Sequence, residues 1–397
     1  MKIVIYPDVK TDLSKYEQLN ADDVVVYDEK DEFNTTITKT SDFDIIGGCD
    51  VIILTLNCII NGRYDITPIE EVCRKLSQFV LDDKIVVFDT QLPPRSVHKM
   101  SKVLDDLGLI EDINLTYTVM VNDDTCLISA TNETSLEKVK DLYCDMAENI
   151  ETTNNIQTAE CVPLLQSAYK DVMVAFANQT AILSEAITID LIEAIKYANM
   201  DNDVHLLNPQ PIANHDIVRD SKEIINLADE YGETAQLSQT TRDINNYVAY
   251  HIAYRAEKEL YLKLHLAMFE TTVAILGITS DDTLISEDDN VSLTLIDDFV
   301  SRDVEVWVCD DKVDEDIIEN HGAKKISIDE AYEADCIIIM TDDESFRNID
   351  ADRIDKVIIS ALPILDGEKF KDKYYSSVGQ YRLKKGEMLW CIQDQAQ

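Results

Sequence analysis

Hydrophobic and polar positions along this chain fall into blocks of different period. Over the first 155 residues, the short apolar runs "KIVIY", "DVVVYD" (ending in Asp28), "CDVIILTL" and "KIVVFDT" alternate with stretches of helical spacing. Those stretches include residues 11–19 and "ITPIEEVCRKLSQFVL", with Pro68 near its start. "LISAT" and the helical "SLEKVKDLYCDMAENI" close the block. Such alternation predicts a mostly parallel sheet with helices on both faces.

From Glu160 to about Asn199 the pattern is helical, and Leu165, Tyr169, Val172, Phe176, Ile182 and Leu183 are spaced to share one face. A proline-punctuated loop, "LLNPQPIANHDIVRD" (206–220), follows. Beyond it, "TTRDINNYVAYHIAYRAEKELYLKLHLAMF" predicts one helix of about 30 residues, roughly 45 Å long and more than one domain needs. Ile244, Val248 and Ile252 lie in register, and Tyr247, Tyr254 and Tyr261 beside them predict core or subunit packing rather than a ligand box. Alternation then returns with "TTVAILGI", "VSLTLIDDFVS", "DVEVWVCDD", "SIDEAYEA", "DCIIIMTDD" and "DKVIISA", before a tail with few clear signals. The expected fold class is α/β, with two Rossmann-like doubly wound domains, 1–155 and 269–397, flanking a central all-helical domain, 156–268. A homodimer, or a heteromer with a related subunit, is expected through the helical domain.

Composition narrows the function classes. Of 397 residues, 45% are hydrophobic, enough for a substantial interior. Acidic residues number 77 against 35 basic ones, and the formal charge of -42 argues against binding nucleic acid or an anionic membrane. The opening "MKIVIYPDVK" runs from a charged start into a strand rather than a secretory leader, and "DVIILTLNCII" is too short to cross a bilayer. A cytoplasmic protein is expected. Nine scattered cysteines, without a CxxC, read as buried reduced thiols, and no metal is expected.

Several stretches then carry a resemblance. "DVIILTLNCIINGRYDITPIEEV", "VVFDTQLPPRSV", "AECVPLLQSAYKDVMVAFANQTAIL", "LNPQPIANHDIVRD", "TRDIN", "VAILGITSDD" and "CIIIMTDDESFRNID" are similar, in order, to segments of the UDP-glucose/GDP-mannose dehydrogenase family. Within it, UDP-N-acetyl-mannosamine dehydrogenases are the most alike. The resemblance implies twofold oxidation of a nucleotide-sugar alcohol by two NAD molecules. A cysteine thiolate would trap the aldehyde, a lysine and an asparagine on the central helix would hold the oxyanion, and an aspartate four residues after the cysteine would hold the water.

Matched position by position, this chain departs from that machinery. The nucleophile position is Asp216, the lysine position Pro163 and the asparagine position Ser167, whereas His215 and Asp220 are retained. Among the family's two substrate-binding cations, the lysine position falls on Asp281 and the arginine position near Asp288. The family's glycine-rich phosphate turn corresponds to "PDVKTDLSKYEQ", and the first glycine in the chain is Gly47. Asp28 keeps the place of a ribose-binding carboxylate, though a surface acid is the plainer reading. Asn208, His215 and Arg242 are the substrate-binding candidates. His215, Asp216 and Asp220 read as a hydrogen-bonded loop rather than a metal site.

The residues favour a non-catalytic or strongly diverged nucleotide-sugar dehydrogenase homologue with a structural, regulatory or binding role in surface-polysaccharide metabolism. They favour no cofactor, while a nucleotide sugar remains a possible ligand. The alternative is an active NAD-dependent UDP-sugar 6-dehydrogenase.

Overall fold

The computed structural model describes residues 1–8, 11–19, 23–79, 84–106, 114–370 and 373–380. The tail from residue 381, with Cys391, lies outside the described residues. The chain divides into two compact units, residues 1–166 and 167–397.

In the first unit the β-branched apolar runs become strands: β1 (Lys2–Pro7), β2 (Asp23–Tyr27), β3 (Thr38–Thr40) and β4 (Val51–Thr55), the last buried throughout. A small antiparallel ribbon, β5 (Ile59–Ile60) and β6 (Arg63–Tyr64), turns at Asn61 and Gly62, both at positive φ. Next come α1 (Thr67–Leu76), with Pro68 in its first turn, β7 (Ile85–Phe88) and α2 (Ser96–Asp106). The unit's remaining strands and helix are β8 (Asn114–Asn122), β9 (Thr125–Ala130), α3 (Glu133–Tyr143) and β10 (Asn149–Thr153). Strand order is β3-β2-β1-β4-β7-β8-β9-β10. Within this sheet, among the described residues, only β8 and β9 pair antiparallel, because the two residues joining them, Asp123 and Asp124, cannot form a crossover.

Residues 11–19, expected to be helical, form a five-residue 3-10 turn, Ser14–Gln18. Tyr16 within it and the flanking Leu13 and Leu19 are buried at every third position, the period of that tighter helix.

Helix α4 (Ile156–Ala186) starts before the division, and α5 (Leu191–Ala198), α6 (His215–Glu230) and α7 (Gln236–Leu264) follow in the second unit. The helical stretch expected from Glu160 to Asn199 breaks after Ala186: Thr188 takes a left-handed φ of 58°, and Asp190 caps α5. The α7 helix ends at Leu264, short of the sequence expectation, where His265 turns left-handed.

The second sheet is built from β11 (Thr272–Leu276), α8 (Val291–Ser301), β12 (Glu305–Cys309), α9 (Glu315–Asn320), β13 (Lys324–Lys325), α10 (Ile328–Ala331) and β14 (Cys336–Ile339). It is completed by α11 (Glu344–Arg347), β15 (Val357–Ser360) and β16 (Tyr374–Ser377). All its strand pairs are parallel, in the order β13-β12-β11-β14-β15-β16 of a doubly wound fold.

On α7, Val248, Ile252, Ala256 and Leu260 join the core of the second sheet, whereas Tyr247, Tyr254 and Tyr261 are 53%, 60% and 65% exposed, so only the core half of the expected core-or-subunit packing is corrected. On α4, Leu165, Tyr169, Phe176 and Leu183 also face outward, while Leu164, Ala168, Asp171, Ala175, Asn178 and Ala181 face inward. Beside Leu164 and Val174 the inner face is made of small and polar residues, so the large apolar residues at helical spacing, which do share a face, mark the outer one. The cysteine expectation also needs correction, since Cys144 is exposed. Among the described residues, no helix is long and apolar enough to cross a membrane.

Candidate functional site

At the end of β1, chemistry depends on free backbone N–H groups. Asp8 follows Pro7, and its backbone N–H donates to Thr11 Oγ1 at 3.0 Å. Its Oδ2 accepts from the Asn57 N–H at 3.1 Å, while Thr11 Oγ1 donates to Thr55 O at 3.0 Å. A carboxylate of the chain thus takes up an amide at the rim where a pyrophosphate would approach, and a short 3-10 turn stands in place of a helix offering a row of amides. Among the described residues, this rim does not fit a dinucleotide's pyrophosphate.

Asp28, expected as a surface acid or a ribose ligand, is 5% exposed. Its two oxygens accept from the N–H groups of Glu32 and Phe33 at 2.9 and 3.1 Å, and Lys39 Nζ lies 3.3 Å away. Burial opposes its ionisation, but these amides and the ammonium outweigh it and hold the carboxyl below its ordinary range. The carboxylate secures its own loop.

In the second unit, the loop before α6 ends at Asn214, whose Oδ1 caps the helix by accepting from Ile217 N–H at 3.1 Å. His215 is 8% exposed, and its backbone N–H donates to Asp281 Oδ2 at 2.8 Å; Asn214 Nδ2 donates to Asp281 Oδ1 at 2.7 Å. Burial raises the Asp281 carboxyl above its usual range, the His215 amide pulls the other way, and nearby Asp216 adds to the rise. Where the family resemblance calls for a cation, this chain lays a carboxylate on the helix start.

Asp216, in the first turn of α6, is half exposed and paired with Arg219. Arg219 also pairs with Asp220 at 2.8 Å, and both side chains are essentially buried. The retained Asp220 is therefore engaged by a guanidinium rather than turned to solvent.

Arg242 is 4% exposed and holds a network that sequence reasoning missed. Its Nη1 donates to Asp171 Oδ1 and its Nη2 to Asn246 Oδ1, both at 2.9 Å. Asn245 Nδ2 donates to Asp171 Oδ1 at 2.6 Å, and Asn178 Nδ2 donates to Asn245 Oδ1 and to Gln210 O at 2.9 Å. Gln210 N–H returns a bond to Asn178 Oδ1 at 2.9 Å, so α4 and α7 together pin the loop that leads into α6. The available signal was a set of polar residues, Asp171 with Asn178 and Arg242 with Asn245, at helical intervals within otherwise apolar helices. Asn208, by contrast, is exposed.

Pro163 lies inside α4, half buried, and Ser167 follows one turn later, also half buried. Neither supplies a positive charge. Glu160, another residue sequence reasoning missed, is 1% exposed and accepts from the N–H groups of Arg95 and Val97 at 2.6 and 2.8 Å. Burial pushes its carboxyl up to about 7 against the pull of these amides. It braces a turn in which Arg95 adopts a left-handed φ of 74°.

Two cavities lie in the second unit. The cleft between the α6 loop and the 279–290 loop, lined by Ala213, His215, Val218, Thr279, Leu284 and Asn290, has about 10 Å³ of free space, room for one water. No cysteine lines it. A larger cavity of about 240 Å³ opens at the carboxyl ends of the second sheet, among Thr279, Asp310, Asp311, Lys312, Thr341 and Asp343. Two of its carboxylates are already used locally: Asp310 accepts from the N–H groups of Ile278 and Lys312, and Asp343 from that of Ser345.

Comparison with known proteins matches residues 157–247 to the central domain of the UDP-glucose/GDP-mannose dehydrogenase family and residues 288–373 to that family's UDP binding domain. A UDP-N-acetyl-D-mannosamine dehydrogenase of Methanocaldococcus jannaschii is 27% identical over 335 residues, covering 79% of this chain and 74% of the relative. The enzyme of the same name from Methanococcus vannielii is 23% identical, covering 74% and 68%. A solved UDP-D-ManNAc dehydrogenase from Pyrococcus horikoshii superposes with a TM-score of 0.78 at 20% identity, over 96% of this chain and all of that one.

Proposed function

Because this chain belongs to the UDP-glucose/GDP-mannose dehydrogenase family, we propose that it keeps a nucleotide-sugar dehydrogenase frame without the covalent oxidation. In this reading it serves as a structural, regulatory or binding partner in nucleotide-sugar and surface-polysaccharide metabolism. One observation carries it: the nucleophile position in the first turn of α6 is Asp216, already paired with Arg219. A carboxylate is a poor nucleophile toward an aldehyde, and oxidising its adduct would give an anhydride rather than a thioester. The turn after β1, with Asp8 on the Asn57 amide, supports the same reading from the cofactor side.

The names of the relatives support a second reading, and none of them speaks for a non-catalytic role. Under it the chain is an active NAD-dependent UDP-sugar 6-dehydrogenase of the UDP-N-acetyl-mannosamine type, oxidising the C6 alcohol to a uronate. The two separate in one assay: purified protein with NAD and UDP-N-acetylmannosamine, followed at the absorbance of reduced nicotinamide. The proposal expects no signal above the protein-free rate, and steady, protein-dependent reduction would overturn it.

The outward Tyr169, Phe176 and Leu183 of α4 and Tyr247, Tyr254 and Tyr261 of α7 support pairing with a second copy or a related subunit through these helices. Sedimentation of the pure chain tests this: a monomer at micromolar concentration that stays alone in the presence of a catalytic relative rejects both forms of pairing.

A further inference from the structure

His321, at the carboxyl end of α9, stands apart from everything used above. Its Nδ1 lies 2.6 Å from Asp297 Oδ1 of α8, and its Nε2 lies 3.2 Å from Glu287 Oε2 of the loop before α8. A neutral imidazole carries one N–H and an ionised carboxylate none, so both bonds form together only when the ring is doubly protonated. The ring is 17% exposed, which strengthens both attractions relative to a fully solvated pair.

Glu287 belongs to the loop that closes the small cleft over α6. That loop is anchored near its start by Asp281 on the His215 amide and near its end by Asp289, 2.7 Å from Lys222 Nζ of α6. Asn290 then caps α8 by accepting from Leu293 N–H at 2.9 Å. Between these anchors, Glu287 ties the loop to the body of the unit through His321.

We propose that His321 is a pH-operated latch: its imidazolium, bridging Asp297 and Glu287, holds the 279–290 loop down over the start of α6, and loss of the proton releases the loop's middle. Asp297 and Glu287 are the charges that face the ring, and both favour its protonated form. Other charges on the surrounding elements are Asp298, paired with Arg302 on α8, Asp289, paired with Lys222, and Glu315, Asp316 and Glu319 on α9. Burial works against protonation, but the two carboxylates prevail, so the ring titrates above the ordinary histidine value. The latch is therefore fully present below that ordinary value and is lost as pH rises through the higher, folded one.

Amide hydrogen exchange of the whole chain at about pH 6 and about pH 9, corrected for the intrinsic rate, reads the latch directly. Protection of residues 282–289 should fall several-fold at the higher pH in the native chain and stay low at both in His321→Gln. Glu287→Gln, at an exposed carboxylate, should lower the His321 titration midpoint in an NMR titration of the ring protons. Equal protection at the two pH values, a fall that persists in His321→Gln, or a His321 midpoint at or below that of free histidine would overturn the proposal.

Discussion

The two doubly wound units meet the same problem at the same place, the end of their first strand, and solve it differently. In the second unit β11 runs into Gly277 at φ +93°, where an added Cβ would lie 1.8 Å from Thr341 Oγ1. In the first unit β1 runs into Pro7 and Asp8, with no glycine. Yet each strand end joins an amide to a carboxylate of the chain: Ile278 N–H, after β11, donates to Asp310, whereas Asp8, after β1, accepts from Asn57 N–H, which follows β4. A glycine at a strand end is thus no sign of a phosphate cradle: Gly277 is needed because β11 passes close under Thr341, and the amide that follows it is already occupied.

The largest expected effect tests that packing argument. Gly277→Ala should cost about 3 kcal/mol in denaturant unfolding, combining a left-handed backbone with a steric clash. A loss below about 1 kcal/mol would mean that the close passage is soft.

The first unit carries a pH signature that the comparison predicts should stay local. Glu160 has a folded value of about 7, above its ordinary 4.5, so the folded state holds the extra proton between them. Stability should therefore fall as pH rises from about 4.5 to about 7, by an amount on the order of 3 kcal/mol. Glu160→Gln should flatten that slope, and an unchanged slope would assign it to other groups.

Smaller effects probe the strand end itself. Asp8→Ala should cost about 1 kcal/mol by leaving the Asn57 amide without its acceptor, and should not create NAD binding by thermal shift. A clear upward shift with NAD, in this variant or in the native chain, would break the contrast between the units. Arg95→Gly should change stability by only a few tenths of a kcal/mol up to about 1, in the stabilising direction, because glycine takes the left-handed φ without strain. Loss of stability there would show that the arginine side chain compensates the turn.

The fold was legible because strand and helix periods differ and because the strands are rich in β-branched residues; both doubly wound units and the long α7 follow from that alone. Faces were less legible. On α4 the inward side is mostly alanine with Asp171 and Asn178, Leu164 and Val174 are too few to mark a stripe, and the visible stripe of Tyr169 and Phe176 pointed outward. The candidate site was legible as positions, His215, Asp216, Asp220 and Arg242, but not as partners. The Asp216–Arg219 pair sits at the i, i+3 spacing of a helix and was readable from it, but that Arg219 also engages Asp220, and that Arg242 is buried against Asp171, depends on rotamer choice and on side chains brought together from far along the chain, which spacing does not encode. Asp28 shows the same limit: its carboxylate turns back onto Glu32 and Phe33 instead of outward.

Pro163 sets what its own helix can tolerate. A proline inside a 31-residue helix removes one backbone donor toward Ala159, and the surrounding turns must settle around its ring. A lysine placed there would return a donor and a long cationic chain to a backbone shaped without either, so a change at this one position remodels the helix along with its charge.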